Sequence, residues 1–384
     1  MPTASTLGTS QQFGSRENGS IMTLLISNDD QEKLLTMDLV LEALQDAYVQ
    51  VDAGQAANRP RTLTSAPTST DGRFSANTHE GILTKQRVYD IRIVTTRHPP
   101  ATQDPGVMGG GLPVQPNVSL DMLYDLDSGE LLAILHDGYL QKVRVQATNA
   151  LAARYLAKQD ATRMGLLGSG WQASAAIEVM RAVRPSLREV KVFSKTPEHR
   201  ESFAIEKQKQ YPDMTIEAVG SAEEACAGAE LLISATTSRT PVVKGEWLDP
   251  GMFLAGIQTH EFDKVCYERA HVVVLFNRLR SRTYGLTRDP VEPPVRRGLS
   301  DQAFGDLFTE SPEIIDLVSG KTPGRTNDRQ IFIFANGGVG WGIDGGPGYG
   351  VQFAAMSKLL YDLARKAGMG RELPKEWFQQ MVHS

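Results

Sequence analysis

The segment 168–173, Gly-Ser-Gly-Trp-Gln-Ala, has the residue types and spacing of a turn that binds a phosphate-bearing nucleotide. Apolar residues of strand character precede it, and a helix with apolar periodicity follows it. In such a unit the first glycine permits the turn, the second lets the backbone approach a pyrophosphate, and the alanine lets the helix pack closely on the strand. The anion would lie at the helix N-terminus, where free N–H groups favour negative charge. An ordinary glycine-containing turn is the alternative to dinucleotide binding by Gly168, Ser169, Gly170, Gln172 and Ala173.

The residues after the next predicted strand indicate which dinucleotide would bind. An acidic residue at this point holds the adenosine ribose of NAD. Here Ser194, Lys195 and Thr196 follow the strand instead. Hydroxyls and a cation suit a 2′-phosphate, so we expect NADP, with NAD possible, although Lys195 could simply be solvated. After the fourth strand, Thr236 and Thr237 are expected beside the same cofactor.

The elements that must position these residues follow a regular alternation. Predicted strands at 164–167, 190–193, 215–219, 231–235, 253–256 and 272–276 are separated by helical or polar stretches. This alternation of strands and helices predicts an α/β fold with a Rossmann-type, doubly wound parallel sheet over roughly 160–325. Short strand-like segments from about 59 to 145 predict an α+β layer, and an apolar face predicts that the last helix packs on that layer.

Bulk composition limits the classes of partner. The chain has 384 residues, 41% hydrophobic and 22% charged, with a formal charge of −5 and no block of like charge. These values are typical of a soluble protein with a small ligand and argue against nucleic acid or a membrane as the main partner. Two cysteines, Cys226 and Cys266, cannot form a disulfide framework, so we expect a reducing, cytoplasmic location.

Several motifs, in order, resemble those of the ornithine cyclodeaminase and mu-crystallin family. They are 111–113 (Gly-Leu-Pro), 124–138 (ending His-Asp-Gly), Arg144 with 147–157, the turn at 168–173, and Ser-Ala-Thr-Thr at 234–237 followed by 245–251. The resemblance covers roughly residues 24–365. It implies a homodimer, an NAD(P)-binding Rossmann domain and a substrate pocket between two domains.

With that resemblance, we assign the chain to three parts. Residues 1–21 are expected to form a flexible arm. Residues 22–146 together with 330–384 are expected to form the substrate-binding and dimerisation domain. Residues 147–329 are expected to form the NAD(P)-binding domain.

The resemblance also implies residues that bind the substrate. Arg144 and Arg61 align with family arginines that hold a carboxylate, and a planar guanidinium offers two parallel donors to that group. The alternative for Arg144 is a pairing with a surface acid. Asp344 lies in a glycine-rich segment that resembles one bordering the nicotinamide.

The chain departs from the family pattern at two catalytic positions. Arg92 stands where the family usually has a lysine, and an arginine stays charged and can only anchor or polarise. The family's catalytic aspartate has no counterpart in the short segment 257–263. Cyclodeaminase activity, which the family ties to that aspartate, is therefore doubtful.

Two His-Glu pairs are the candidates left for proton transfer. His79 precedes Glu80, and His260 precedes Glu261. A histidine near its ordinary pKa of about 6.5 suits general acid–base catalysis. Hydrogen-bonded structural histidines are the alternative, and neither pair has a spacing that forces metal ligands together, so we expect no metal.

These residues predict an NAD(P)-dependent oxidoreductase that acts on the C–N bond of a small carboxylate-bearing amine or imine, as amino acid dehydrogenases and ketimine reductases do. Arg92, His79, His260 and Glu261 are the predicted catalytic residues. Two alternatives remain. One is an ammonia lyase that recycles its NAD internally, and the other is a non-catalytic NADP-binding protein or enzyme subunit of the mu-crystallin type.

Overall fold

The computed structural model describes residues 22–70, 72–98, 114–238, 240–278, 282–284, 308–337 and 349–380. The predicted arm at 1–21, the Gly-Leu-Pro motif at 111–113 and Asp344 lie outside these residues. The strands are β1 (Thr23–Ile26), β2 (Ala56–Pro67), β3 (Arg73–Leu83), β4 (Val88–His98), β5 (Val114–Asp125), β6 (Leu131–His136), β7 (Arg163–Leu167), β8 (Glu189–Phe193), β9 (Thr215–Ala218), β10 (Leu231–Ser234), β11 (Phe253–Gly256), β12 (Val272–Leu275), β13 (Arg282–Tyr284), β14 (Phe332–Ala335) and β15 (Arg371–Leu373). The helices are α1 (Asn28–Leu34), α2 (Met37–Asp52), α3 (Tyr139–Leu156), α4 (Ala173–Val183), α5 (Pro197–Gln210), α6 (Ala222–Cys226), α7 (Lys264–Arg269), α8 (Ile314–Val318) and α9 (Gly350–Ala367).

The first sheet has eight strands in the order β13-β2-β3-β4-β5-β6-β1-β15, and β2 to β6 form an antiparallel meander. Alternate residues of its strands point inward, as the period of two requires. Helix α9 covers this inner face and contacts β3 and β4 most extensively. Helix α2 packs on α9 through a buried stripe with helical spacing, Val40, Leu41, Leu44, Ala47 and Tyr48.

The start of α9 lies directly on the backbone of β3. A Cβ atom built on Gly350 would lie 1.9 Å from the Glu80 carbonyl oxygen, and one built on Gly81 would lie 2.3 Å from the Gly350 carbonyl carbon. Only two glycines facing each other permit this approach. The helix ends at Gly368, whose φ of +64° gives the left-handed C-cap that glycine favours.

The second sheet confirms the predicted fold class. Its seven strands run parallel in the order β12-β14-β11-β10-β7-β8-β9. The chain leaves β7 in one direction along the sheet and returns to β10 on the other side of β7. This reversal is the switch point at which doubly wound sheets bind ligands, at the carboxyl ends of their strands.

The predicted domain boundaries differ from the structure in three places. Strand β14 lies in the second sheet, between β11 and β12, although residues from 330 onward were assigned to the first domain. Strand β13 pairs with β2 in the first sheet, although 147–329 was assigned to the second domain. Helix α3 begins at Tyr139 and crosses the predicted boundary at 146/147. Periodicity identifies a strand but not its partner, which explains the first two differences.

Helix α3 joins the two sheets. It contacts α2 and α9 on one side and α4, β11 and β14 on the other. The buried Arg184 guanidinium closes its C-terminal end by donating to the carbonyl oxygens of Ala153, Arg154 and Ala157. No helix in the described part of the chain is long and apolar enough to cross a bilayer.

Candidate active site

The turn after β7 has the shape that a pyrophosphate requires. Gly168 has a φ of +107°, and a Cβ atom there would lie 2.4 Å from the Ala235 carbonyl oxygen, so this position demands glycine. A Cβ atom on Gly170 would meet no atom within 4 Å. The space in front of Gly170 is open and lies at the switch point, at the start of α4. The free N–H groups of a helix N-terminus favour an anion, so this space suits the phosphate groups of a dinucleotide. Ala173, the first residue of α4, is fully buried, whereas Gln172 precedes the helix and is half-buried.

Hydroxyl groups line the neighbouring edge at the end of β8. The Ser169 hydroxyl donates to the Ser194 hydroxyl, with 2.9 Å between the oxygens. Lys195 and Thr196 are exposed just beyond it. The Arg200 guanidinium donates to the Ser194 carbonyl oxygen at 2.9 Å and lies 5.5 Å from the centre of the Phe193 ring. Arg200 therefore adds a second cation to this edge, and the sequence pattern alone did not predict it.

Glu261 organises the ends of β10 and β11. Its buried carboxylate accepts hydrogen bonds from the Ser234 hydroxyl, the backbone and side chain of Thr236, and the Gln258 backbone, at 2.7–2.9 Å. Burial raises the pKa of Glu261, and these hydrogen bonds act against that rise. Both oxygens are occupied by protein donors, which favours a structural role. Thr236 is held in the same network, and Thr237 next to it is exposed.

His260 is buried in the same turn. Its Nε2–H donates to the Ser238 carbonyl oxygen, because that oxygen can only accept. Burial lowers the pKa of His260. The ring thus holds the segment that follows β10 at the carboxyl edge of the sheet.

Arg92 lies on the inner face of the first sheet and forms a buried ion pair. Its Nε donates to Asp137 Oδ2 at 2.6 Å, and Nη2 contacts the same oxygen. The side chains of Arg92 and Asp137 are 8% and 1% exposed. The Ser119 hydroxyl also donates to Asp137. Arg92 is therefore anchored by its own counter-ion before any substrate binds.

Arg144, on α3, is a buried guanidinium whose side-chain partners are amides. Nη1 donates to Gln352 Oε1 at 3.1 Å, and Nε and Nη2 donate to Gln141 Oε1 at 3.0 and 2.7 Å. Within the described residues, no carboxylate forms an ion pair with it. Burial, and then the charge of Arg92, lower the pKa of Arg144 to about 10. A desolvated cation of this kind is suited to bind a substrate carboxylate.

His79 is a neutral imidazole with one defined tautomer. Arg92 Nη1 lies 3.3 Å from His79 Nδ1. Arginine can only donate, so Nδ1 accepts and the ring proton lies on Nε2. Burial, followed by the charges of Arg92, Arg61 and Arg144, lowers the pKa of His79 well below its ordinary value. The ring is uncharged at neutral pH, so it offers an N–H donor rather than a titrating acid.

Arg61 joins this cluster from β2. The register of β2 against β3 shifts between Arg59 and Thr62, next to Pro60, and such an irregularity redirects a side chain. Arg61 is 7% exposed, and its charge acts on His79. The structure thus brings together Arg61, His79, Arg92 and Arg144, whereas His260 and Glu261 belong to the edge of the second sheet.

Two further carboxyl groups, Asp90 and Asp121, are buried beside Arg92 on the same inner face. Both are fully buried, and Asp121 lies opposite Arg92 in the strand register. Burial raises the pKa of Asp90 to about 8, and the Asp137 charge adds to this rise; burial also raises the pKa of Asp121 well above its ordinary value. Asp90 is therefore largely protonated at neutral pH.

The cluster adjoins the carboxyl edge of the second sheet. Asn336, just after β14, donates to the Val145 carbonyl oxygen at 3.2 Å and to Asn149 Oδ1 at 2.9 Å. Both acceptors are on α3, within a turn and a half of Arg144. The arginine cluster thus adjoins, through α3, the carboxyl edge of the second sheet, and the region between the two is the candidate cleft.

Five residues of the candidate site are not among those predicted from the sequence: Asp90, Asp121, Asp137, Gln352 and Phe353. Asp90 and Arg92 lie two residues apart on the buried face of β4, with Ile91 between them on the other face, and this polar period-two pattern could have indicated them. Asp137 lies between an apolar strand and a helix, and an acidic residue at such a position could also have been predicted as a site residue. Gln352 and Phe353 look like ordinary helix residues, and the sequence carries no such signal for them.

The sequence of this chain is similar to that of known proteins along most of its length. Residues 22–341 match the profile of the ornithine cyclodeaminase/mu-crystallin family. An alanine dehydrogenase of Archaeoglobus fulgidus is 24% identical over 356 residues, which cover 91% of this chain and 98% of the relative.

Two solved structures share the fold. The Δ1-pyrroline-2-carboxylate reductase of Thermococcus litoralis, in complex with NADH and L-proline, has a TM-score of 0.70 at 23% identity and covers 91% of this chain and 100% of its own. An archaeal alanine dehydrogenase dimer with bound NAD has a TM-score of 0.69 at 21% identity, covering 91% and 98%.

Proposed function

The chain belongs to the ornithine cyclodeaminase/mu-crystallin family, and from that premise we propose that it is an NAD(P)-dependent oxidoreductase of small carboxylate-bearing amines or imines. The observation that carries the proposal is the buried Arg144 guanidinium, which has amide partners and adjoins the nucleotide-binding edge through Asn336. A cation in this state favours an anionic ligand, and its place directs the ligand toward the cofactor.

The residues of the cleft have separate tasks. Arg144, with Arg61 beside it, binds and orients the substrate carboxylate. The Nε2–H of His79 donates a hydrogen bond to the substrate, and Arg92, fixed by Asp137, keeps His79 in that tautomer. A bound nicotinamide cofactor would supply or accept the hydride. A substrate imine that is already protonated needs no further proton from the residues of the cleft when its carbon is reduced. This division of tasks explains how the site can act with arginine at position 92.

Glu261 and His260 have structural tasks in this proposal. Their hydrogen bonds hold the ends of β10 and β11, which border the cofactor. This assignment replaces the prediction that they transfer a proton, because both oxygens of the buried carboxylate already accept protein hydrogen bonds and the imidazole N–H donates to a carbonyl oxygen.

The cofactor is NADP in our proposal. The edge after β8 presents Ser194 and Thr196 hydroxyls, exposed Lys195 and half-buried Arg200, and these groups complement a 2′-phosphate. The structural relatives named above hold NADH or NAD, so both cofactors must be compared directly.

The protein forms a homodimer through the outer face of its first sheet. This face points away from α9. Its residues include Ile91, Met122, Tyr124 and Ile134 together with the Arg59–Glu80 ion pair, and Met122, Tyr124 and Ile134 line a cavity of about 600 Å³. Phe74 and Val118 on this face are 41% and 57% exposed. Apolar patches of this kind mark interaction surfaces, and the archaeal alanine dehydrogenase neighbour is a dimer.

A panel of substrates tests the activity. Δ1-Pyrroline-2-carboxylate is reduced with NADPH or NADH, and L-alanine and L-proline are oxidised with NADP⁺ or NAD⁺, while the absorbance of the reduced nicotinamide is followed. We expect a net absorbance change with at least one compound, and a loss of roughly a hundredfold in kcat/KM for Arg144→Met.

Arg154→Met is the matched control for Arg144→Met. Arg154 lies on the same helix and donates to Gln45, so its removal leaves the rate unchanged. With L-ornithine or L-lysine in the same assay, release of ammonia without a net absorbance change would support the lyase alternative instead. Tight cofactor binding without any turnover would support the non-catalytic alternative.

A further inference from the structure

The ring of Phe353, in the first turn of α9, is the common contact of three groups of the cleft. The Cζ atoms of Arg92 and Arg144 lie 4.6 and 4.8 Å from its centre, and the His79 ring centre lies 5.3 Å away. Phe353 itself is fully buried. Three elements of the fold, β3, β4 and α3, thus place their polar groups on one aromatic side chain.

This arrangement opposes the mutual repulsion of two buried cations. Arg92 and Arg144 are like charges, and the charge of Arg92 contributes to the lowered pKa of Arg144. The electron-rich face of an aromatic ring attracts guanidinium groups, most strongly where water is excluded. The ring therefore offsets part of the repulsion between the two guanidinium groups.

The position of the ring is itself fixed from three sides. The backbone contact between Gly350 and Gly81 sets the start of α9 on β3. The Val351 N–H donates to Asn58 Oδ1 at 3.2 Å. Gln352 Nε2 donates to the Tyr48 hydroxyl at 2.6 Å and to Thr148 Oγ1 at 2.8 Å, which turns its Oε1 toward Arg144.

We propose that Phe353 is a positioning residue, which sets the separation and orientation of Arg92 and Arg144 so that Arg144 receives the substrate carboxylate. This inference rests on the proposed function of the same cleft. Its consequence is that the electron density of the ring, and not only its volume, determines how well the carboxylate binds.

A graded series of fluorinated phenylalanines at position 353 tests this consequence. Replacing Phe353 by its mono-, di- and trifluoro analogues weakens the negative face of the ring stepwise with little change in size. We expect kcat/KM for the carboxylate substrate to fall with each fluorine, by about tenfold for the trifluoro ring, mainly through a rise in KM. The Kd of NADPH should stay constant.

The same series at Phe253 is the matched control. Phe253 is fully buried in β11 of the second sheet. Fluorination there should leave KM unchanged. An unchanged KM across the series at Phe353 would overturn the proposal, because a purely structural ring tolerates fluorine at both positions.

A second measurement separates this proposal from the proposed function. The ¹⁵Nε–H signals of Arg92 and Arg144 report the order of the two guanidinium groups without substrate. Phe353→Leu should shift and broaden both signals, whereas Phe253→Leu should leave them in place. Unmoved signals in Phe353→Leu would contradict the positioning role. Moved signals in a protein that turns over no amine or imine would uphold that role and count against the proposed function.

Discussion

Asp137 is the counter-ion of Arg92, with 2.6 Å between Asp137 Oδ2 and Arg92 Nε and with the carboxylate side chain 1% exposed. The pair joins the end of β6 to the middle of β4 and leaves Arg92 Nη1 directed at His79. Arg92 therefore acts through His79 and through the field of the cleft. It does not exchange protons, which an arginine cannot do at neutral pH.

Asp137→Asn is expected to destabilise the fold. The variant keeps the shape of the side chain but leaves a buried guanidinium without its counter-ion, at a cost of about 3–5 kcal/mol. Urea unfolding measures this loss. Asp213→Asn is the control, because the Arg181–Asp213 pair is more exposed, at 29% and 54%, and should cost less than about 1 kcal/mol. Equal losses in the two variants would show that burial of the Arg92 pair has no energetic effect.

The buried Asp90 makes the stability depend on pH in a defined direction. Its pKa rises from 3.8 to about 8 in the folded protein, mainly through burial. The folded state thus binds this proton more tightly than the unfolded state, so the free energy of unfolding falls as pH increases between about 4 and 8.

Asp90→Asn should remove this part of the pH dependence. The neutral amide mimics the protonated carboxyl group, so the variant should gain stability relative to the wild type as pH rises, by at most about 1.4 kcal/mol per pH unit. Chemical denaturation at several pH values measures the difference. A constant difference between the two proteins from pH 4 to 8 would show that Asp90 is already ionised in the folded state.

Substitution of Gly170 should affect cofactor binding, whereas substitution of Gly168 should affect thermal stability. Gly170→Leu projects a side chain into the open space before α4, so it should abolish dinucleotide binding and leave the thermal unfolding temperature nearly unchanged. Gly168→Ala should lower that temperature, because its Cβ atom would lie 2.4 Å from the Ala235 carbonyl oxygen at a φ of +107°. Tight cofactor binding by Gly170→Leu would show that this turn is not part of the cofactor-binding site.

Lys195 should distinguish the two cofactors. Lys195→Ala is expected to raise the Kd of NADPH by about tenfold through loss of a charge-assisted contact, with the Kd of NADH unchanged. Fluorescence titration of the reduced cofactors measures both. Lys209→Ala, in the last turn of α5, is the control. An equal change in the Kd of NADH and of NADPH in Lys195→Ala would contradict the assignment of Lys195 to the 2′-phosphate.

The second sheet could be predicted from sequence because its strands are short, apolar and separated by helices in a regular alternation. The order of the strands within this sheet could not be predicted in the same way. Strand β14 is separated from β11 by about 75 residues, yet it pairs with both β11 and β12. Nothing in its apolar pattern indicates which strands lie beside it.

Residues of the candidate site could be predicted where a residue type is unusual for its position, but not where packing decides. Arginines on strand and helix faces are conspicuous, and in the described residues the charges of Arg61, Arg92 and Arg144 all act on His79. Phe353 and Gln352 have no distinctive local pattern, and their role follows from the contact of Gly350 with Gly81. The tautomer and lowered pKa of His79 also depend on neighbours that are remote in sequence.

The most direct test of the account is a crystal structure of the ternary complex with NADP⁺ and the amino acid most active in the panel. The account predicts the pyrophosphate at residues 168–173, the substrate carboxylate on Arg144, and the nicotinamide C4 about 3–3.5 Å from the carbon of the C–N bond. A dinucleotide bound away from that turn, or a carboxylate bound away from Arg144, would contradict it.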